Sequence, residues 1–171
     1  MNVTTIQSFS SLAAPDARIL ILGTMPGVAS LQAQQYYAHP RNAFWPMMAS
    51  LLGFDAALPY EQRLAQLIAN RIALWDVLAS CQRPGSLDSA IARATERPND
   101  FVSLFAQCRQ LRAVACNGGT AYALFRRHVL PVVDVAGIDV LQLPSTSPAH
   151  AGKSFAAKLA EWQRLRTYLA D

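Results

Sequence analysis

Cysteine and histidine are scarce in this chain, three of each among 171 residues. Cys81, Cys108 and Cys116 are odd in number and widely spaced, which excludes a disulfide framework and a four-thiolate cluster. Buried, reduced thiols are therefore expected, and with them a cytoplasmic location. His39, His128 and His150 lie far apart, with no His-x-x-x-His and no cysteine pair beside them, so no metal site is expected. No apolar run approaches the ~20 residues of a membrane helix. The opening "MNVTTIQSFSSLAAPDAR" has no basic stretch leading into a long apolar core, and no signal peptide is expected. Missing too are a Gly-Lys-Ser/Thr phosphate loop, the dinucleotide-binding glycine fingerprint and a Gly-x-Ser-x-Gly elbow. No repeat, low-complexity tract or linker divides the chain, so residues 1–171 read as a single domain.

Hydrophobic residues make up 52% of the chain, which rules out general disorder. A chain of this length buries roughly two-thirds of its unfolded surface. The formal charge of +4 and the pI near 9.3 are compatible with a phosphate-rich partner without establishing one.

"ARILILG", Ala17 to Gly23, is a continuous apolar run of strand length ending at a glycine. Such a run suits a strand covered on both faces, as in a parallel sheet between helices. "RIALWDVL" at 71–78, "LRAVACNGG" at 111–119 and "IDVLQLPSTSP" at 138–148 repeat the style. Between them, helical patterns are predicted over 42–52, 60–69, 99–108 (capped by Asn99 or Asp100) and 119–129. A last helix is predicted over 153–170, with Phe155, Leu159, Trp162, Leu165 and Leu169 on one face. The alternation predicts a three-layer α/β/α sandwich around a short, four-stranded, mostly parallel sheet.

Ligands of such folds collect beyond the carboxyl ends of the strands. Four segments leave predicted strands there: "GTMPG", "DVLASCQRPGSLD", "CNGGT" and "PSTSPAHAGKS". The glycines of "GTMPG" permit a tight turn or close backbone approach to a ligand. Asn117 either launches the following helix or faces a ligand at its N-terminus. Ser145, Thr146 and Ser147 can donate to phosphates. The segment "YYAHPRNAFW" puts four aromatics, a His, an Arg and an Asn into ten residues. Phe44 and Trp45 read as core anchors of the next helix, whereas Tyr36 and Tyr37 before the His-Pro bend are hard to assign to a core. An aromatic face beside hydrogen-bonding groups is how a protein stacks a flat heterocycle. Asn42 carries donor and acceptor atoms that can position a water, and being uncharged it does not repel hydroxide.

The combination "GTMPG … YYAHPRNAFW … WDVLASCQRPGSLDS … PSTSPA" resembles the uracil-DNA glycosylase superfamily over nearly the whole chain. It is most similar to the hypoxanthine-DNA glycosylase branch, and next to the mismatch-specific uracil enzymes. The resemblance implies a four-stranded parallel sheet between helical layers, in agreement with the reading from the residues. It implies Asn42 as the catalytic residue and Tyr37 as the platform that stacks on an extruded base. Thr24 and Met25 of the first loop, Asp76 and Asn117 are implied at the base, with Asp76 standing where uracil enzymes have Asn. A carboxylate accepts from a ring N–H but cannot donate to the neighbouring carbonyl. Asp76 therefore reads the base edge or holds Arg83 or the "GSLDS" loop. Met25 replaces the water-orienting Asn of mismatch enzymes, and Leu143 replaces the leaving-base histidine of uracil enzymes. Ser145, Thr146, Ser147, His150 and Lys153 are implied as DNA contacts.

The reaction implied is hydrolytic excision of a deaminated base, hypoxanthine first, from double-stranded DNA, initiating base excision repair. A monomer without lyase activity, metal, nucleotide or iron–sulfur cofactor is expected. The alternatives are a G:U/G:T mismatch-specific uracil or thymine glycosylase and a non-catalytic DNA-binding module of the same fold. A hydrolase of free nucleosides is disfavoured, because such substrates offer no phosphate backbone to "PSTSPAHAGKS".

Overall fold

The four continuous apolar runs become four parallel strands. The structure, a computed structural model, describes residues 3–171. Strand β1 spans Thr5–Gln7, β2 Ile19–Gly23, β3 Ile72–Asp76, β4 Leu78–Gln82, β5 Arg97–Pro98, β6 Ala113–Asn117 and β7 Asp139–Leu143. Helix α1 spans Val28–Ala33, α2 Phe44–Leu52, α3 Tyr60–Ala69, α4 Phe101–Gln107, α5 Gly119–Leu124, α6 Phe155–Trp162 and α7 Arg166–Leu169. The main sheet has the order β3-β2-β6-β7, every pair parallel.

Side chains alternate across this sheet, and both faces are apolar. Leu20, Leu22, Ala73, Val114 and Cys116 pack with Phe101 and Leu104 of α4 and Leu124 of α5. Ile19, Ile21, Ile72, Leu74 and Ala115 meet Phe44 and Met47 of α2, Leu67 of α3 and Trp162 of α6. That is the three-layer sandwich. Register then aligns the strand ends. Gly23 lies beside Asp76, and Asn117 beside Leu143.

Three elements differ from the sequence reading. The run 71–78 is two strands, because the chain leaves the main sheet after Asp76. β4 then pairs antiparallel with β1 and β5 in a second, three-stranded sheet. β1 and β5 are only three and two residues long and largely exposed, so no apolar pattern marks them. The last helix is broken by a 3₁₀ turn at Gln163–Leu165. Trp162 and Leu165 are buried, but Phe155 in its first turn stays 44% exposed. The 119–129 segment ends in a π-helical turn, Phe125–Val129. Asp100 is the α4 cap, accepting from the Ser103 N–H. No helix among the described residues is long and apolar enough to cross a membrane.

Candidate active site

The carboxyl ends of β2, β3, β6 and β7 open into one cavity of about 330 Å³. Gly23, Thr24, Met25, Tyr37, Asn42, Asp76, Asp88, Asn117, Ser145, Thr146, Ser147 and His150 all border it. One predicted contact, Lys153, does not. Its ammonium pairs with Glu161 at 2.6 Å on the outer face of α6.

"YYAHPRNAFW" divides between core and cavity. Tyr37 has a left-handed backbone, φ 55°, so the two tyrosines diverge. Tyr36, hard to assign to a core from the sequence, is buried and donates its hydroxyl to the Ser10 carbonyl. The Tyr37 ring stacks on Phe44, with centroids 4.0 Å apart and planes tilted 24°, and borders the cavity. Phe44 and Trp45 are buried, as expected of helix anchors. Burial pushes both tyrosine hydroxyls far above their ordinary pKa, so they stay neutral. The following bend is closed by the Asn42 N–H donating to the His39 carbonyl and the Arg41 N–H to His39 Nδ1. Asn42 Oδ1 accepts from the Phe44 N–H at 2.9 Å. One acceptor lone pair and the amide donors of Asn42 remain for a water.

Asp76 is 4% exposed at the end of β3, and its Oδ2 has no hydrogen-bond partner within the protein. Oδ1 lies against Gly23. A Cβ there would come within 2.5 Å of it and 3.0 Å of the Tyr37 hydroxyl. Arg83 forms no ion pair with Asp76: its guanidinium donates to the carbonyls of Pro26 and Gly85, at 2.7 and 2.8 Å, while Nη1 has no partner and the charge still acts on Asp76. Arg83 thus ties its own loop to the first loop, and Ser86 strengthens the tie by accepting the Val28 N–H. Burial, then the charge of Asp88, push the Asp76 carboxyl up to about 7, with Arg83 opposing. Asp88 is also raised by burial, but a hydrogen bond from Thr24 and the Arg83 charge counter that rise.

Asn117 is the hub of the opposite wall. Its Oδ1 accepts from the Thr146 N–H, and its Nδ2 donates to the Thr146 hydroxyl at 3.0 Å and the Tyr37 hydroxyl at 3.3 Å. Both amide hydrogens are committed to the protein, leaving one carbonyl lone pair toward the cavity. Thr146 is 1% exposed, its hydroxyl oxygen accepting from Asn117 on the cavity wall. Ser145 and Ser147 are half-buried, their hydroxyls accepting from nearby backbone N–H groups and still able to donate. Gly118 has φ +100°, and a Cβ there would meet Ser145 at 3.0 Å, so this turn needs glycine.

Two residues had no role in the sequence reading. Asp88 was visible within "RPGSLDS", yet nothing in the pattern places it on the cavity wall. Lys158, 5% exposed in α6, donates to the His150 carbonyl at 2.7 Å and secures the loop tip. A lysine within an amphipathic helix carries no mark of such a contact. Among the described residues, no three His, Cys, Asp or Glu side chains gather to hold a metal ion.

A cavity at a parallel sheet's carboxyl edge, with a stacked tyrosine and an unpaired carboxyl, is the architecture of a base-binding enzyme. The chain belongs to the uracil DNA glycosylase superfamily, whose profile matches residues 10–166. It is 34% identical over 158 residues to a hypoxanthine DNA glycosylase of Methanosarcina acetivorans, covering 92% of this chain and 95% of that one. A hypoxanthine DNA glycosylase of Methanosarcina barkeri is 32% identical over 157 residues, covering 91% and 94%. A solution NMR structure of a Methanosarcina acetivorans protein superposes with a TM-score of 0.81 at 32% identity. It spans 97% of this chain and 99% of that one.

Proposed function

We propose that the protein is a monofunctional DNA glycosylase that extrudes hypoxanthine from duplex DNA and hydrolyses its glycosidic bond. The observation that carries this reading is the convergence of Tyr37, Asn42 and Asp76 on one cavity. The names of the two relatives support the choice of base.

A base within a duplex is out of reach, so the nucleotide must swing out of the stack. Phe44 backs one face of Tyr37, giving the extruded base a rigid platform. Asp76 meets the edge bearing N1–H and the C6 carbonyl. Asn42, oriented by its bond to the Phe44 N–H, holds the water that captures C1′ as the C1′–N9 bond opens. The electron pair leaves with the base, a water proton returns to it, and an abasic site remains. Ser145, Ser147 and the rim residue His150 contact the DNA backbone, with α6 presenting its N-terminus behind them. The protein acts as a monomer, without a cofactor. The three free cysteines fit a reducing cytoplasm.

The test is single-turnover cleavage of labelled duplexes carrying hypoxanthine, uracil or xanthine, with excess enzyme and alkaline scission of the abasic product. Hypoxanthine release by the wild type should fall roughly 100-fold or more in Asn42→Ala, the scale of losing one positioned transition-state group. Release of uracil alone would overturn the choice of base. No release from a bound duplex would favour a binding module instead.

A further inference from the structure

Thr146 sits where three segments of the cavity wall meet, 1% exposed, with each of its polar groups partnered inside the protein. Its N–H donates to Asn117 Oδ1 at 2.9 Å, and its hydroxyl oxygen accepts from Asn117 Nδ2 at 3.0 Å. Its carbonyl accepts from the Ala43 N–H at 2.9 Å. The two contacts with Asn117 engage both ends of one amide and so fix its plane. The same Nδ2 then reaches the Tyr37 hydroxyl at 3.3 Å.

Together these bonds close a ring. Asn117 holds Tyr37, Thr146 holds Asn117, and Thr146 also holds Ala43, the neighbour of Asn42. Phe44 completes the circuit, stacking on Tyr37 with centroids 4.0 Å apart and donating its N–H to Asn42 Oδ1 at 2.9 Å. The Tyr37 ring and the Asn42 amide are therefore held twice, once by α2 and once by the end of β6 and the loop after β7. Packing alone does not ask for threonine here. A valine fills the same space without enclosing a hydroxyl, whereas a fully partnered polar network fixes one arrangement of the groups it joins.

We propose that Thr146 is a positioning residue for excision, setting the spacing between the Tyr37 platform and the water on Asn42 through its bonds to Asn117 and Ala43. This rests on the excision reading above and adds a residue to it that touches no reacting atom. Capture of C1′ needs the water about 3–3.5 Å from the sugar while the base lies on Tyr37, and a displacement of about 1 Å costs roughly 100-fold. The hydroxyl is the decisive group. Without it Nδ2 loses a partner and the Asn117 amide is free to turn, which releases Tyr37 and the Thr146 peptide together.

Single-turnover excision from a hypoxanthine duplex at saturating enzyme reads the effect on chemistry, and anisotropy reads duplex affinity. Thr146→Val should slow excision roughly 30-fold with affinity changed less than about threefold, and Thr146→Ser, which keeps the hydroxyl, should stay within about threefold of the wild type. Asn42→Ala separates positioning from general loosening. Once the holder of the water is gone its placement no longer matters, so Thr146→Val should cost less than about threefold more in that background. A full second loss there overturns the proposal. So does a Thr146→Val that excises at the wild-type rate, a loss that Thr146→Ser shares, or a loss confined to affinity, which would make Thr146 a DNA contact only. Should Thr146→Val fail to fold, Asn117→Ala breaks the ring at its next member and is read by the same comparisons. A second readout needs no activity: hydrogen exchange at the Ala43 amide of the free protein should quicken roughly tenfold in Thr146→Val and hold in Thr146→Ser. Unchanged exchange in Thr146→Val sinks the ring whatever the kinetics. Faster exchange in a protein that releases no hypoxanthine would keep the ring and overturn only the excision reading.

Discussion

At Gly23 a single methyl group would press within 2.5 Å of the Asp76 carboxyl and 3.0 Å of the Tyr37 hydroxyl, so both cavity groups would have to move. Gly23→Ala should cost roughly 1–3 kcal/mol in urea unfolding, the usual range for overpacking. Its excision rate should fall much further than that loss of stability explains. Asp76 also ties stability to pH. Its carboxyl is raised on folding, so the folded state favours the protonated form: no penalty operates below about pH 4, and the full penalty is present once pH passes the folded value of about 7. Thermal unfolding should show Asp76→Asn gaining on the wild type between pH 5 and 8, by a few kcal/mol at most. Equal pH dependence in the two proteins would refute this. Tyr37 and Asn42 stood out in the sequence, because aromatic and polar residues at a His-Pro bend are poorly explained by packing, whereas Asp76 stood out only through the family resemblance. The burial of Tyr36 was not legible there, since the left-handed backbone at Tyr37 decides which ring turns inward.

Among the elements, α2 links core to cavity. Phe44 is buried, stacks on Tyr37 and holds Asn42 through its N–H. α6 does the same for the Pro144–His150 loop, through Trp162 donating to the Pro144 carbonyl and Lys158 to that of His150. Removing the Lys158 ammonium should loosen the loop and spare the chemistry. Lys158→Met is expected to weaken duplex binding roughly tenfold by fluorescence anisotropy, with single-turnover rates at saturating enzyme changed less than about threefold. Stability should hold, because burial already disfavours this ammonium and methionine fills a similar volume. A fall in the saturated rate with binding intact would mean that the loop positions the base instead. The main strands and α2 to α5 were readable from apolar period. β1, β5 and α1 were not, being too short to show one, and β4 was hidden because its apolar residues continue those of β3.

For the molecule as a whole, the charge of +4 is modest and the site carries two carboxyls of its own. Affinity for duplex DNA must then come from local contacts around the cavity mouth. A grip on about four phosphates predicts a log–log salt slope near −4 between 50 and 200 mM salt. A flat dependence in an anisotropy titration would remove duplex DNA as the substrate and revive a free nucleoside.

The sequence by itself determined the sheet, the layers covering it and the edge on which the site lies. Continuous apolar runs can only be buried on both faces, and strands that run parallel deliver their following loops to one side. It also singled out most of the polar residues on the cavity wall. Tertiary structure alone decided what each can do there. It gave Thr146 to Asn117 and Lys153 to Glu161, and it buried Asp76 with its Oδ2 unpartnered. Those outcomes depend on distances between residues far apart in the chain, and a protonation state follows from such distances rather than from the order of residues.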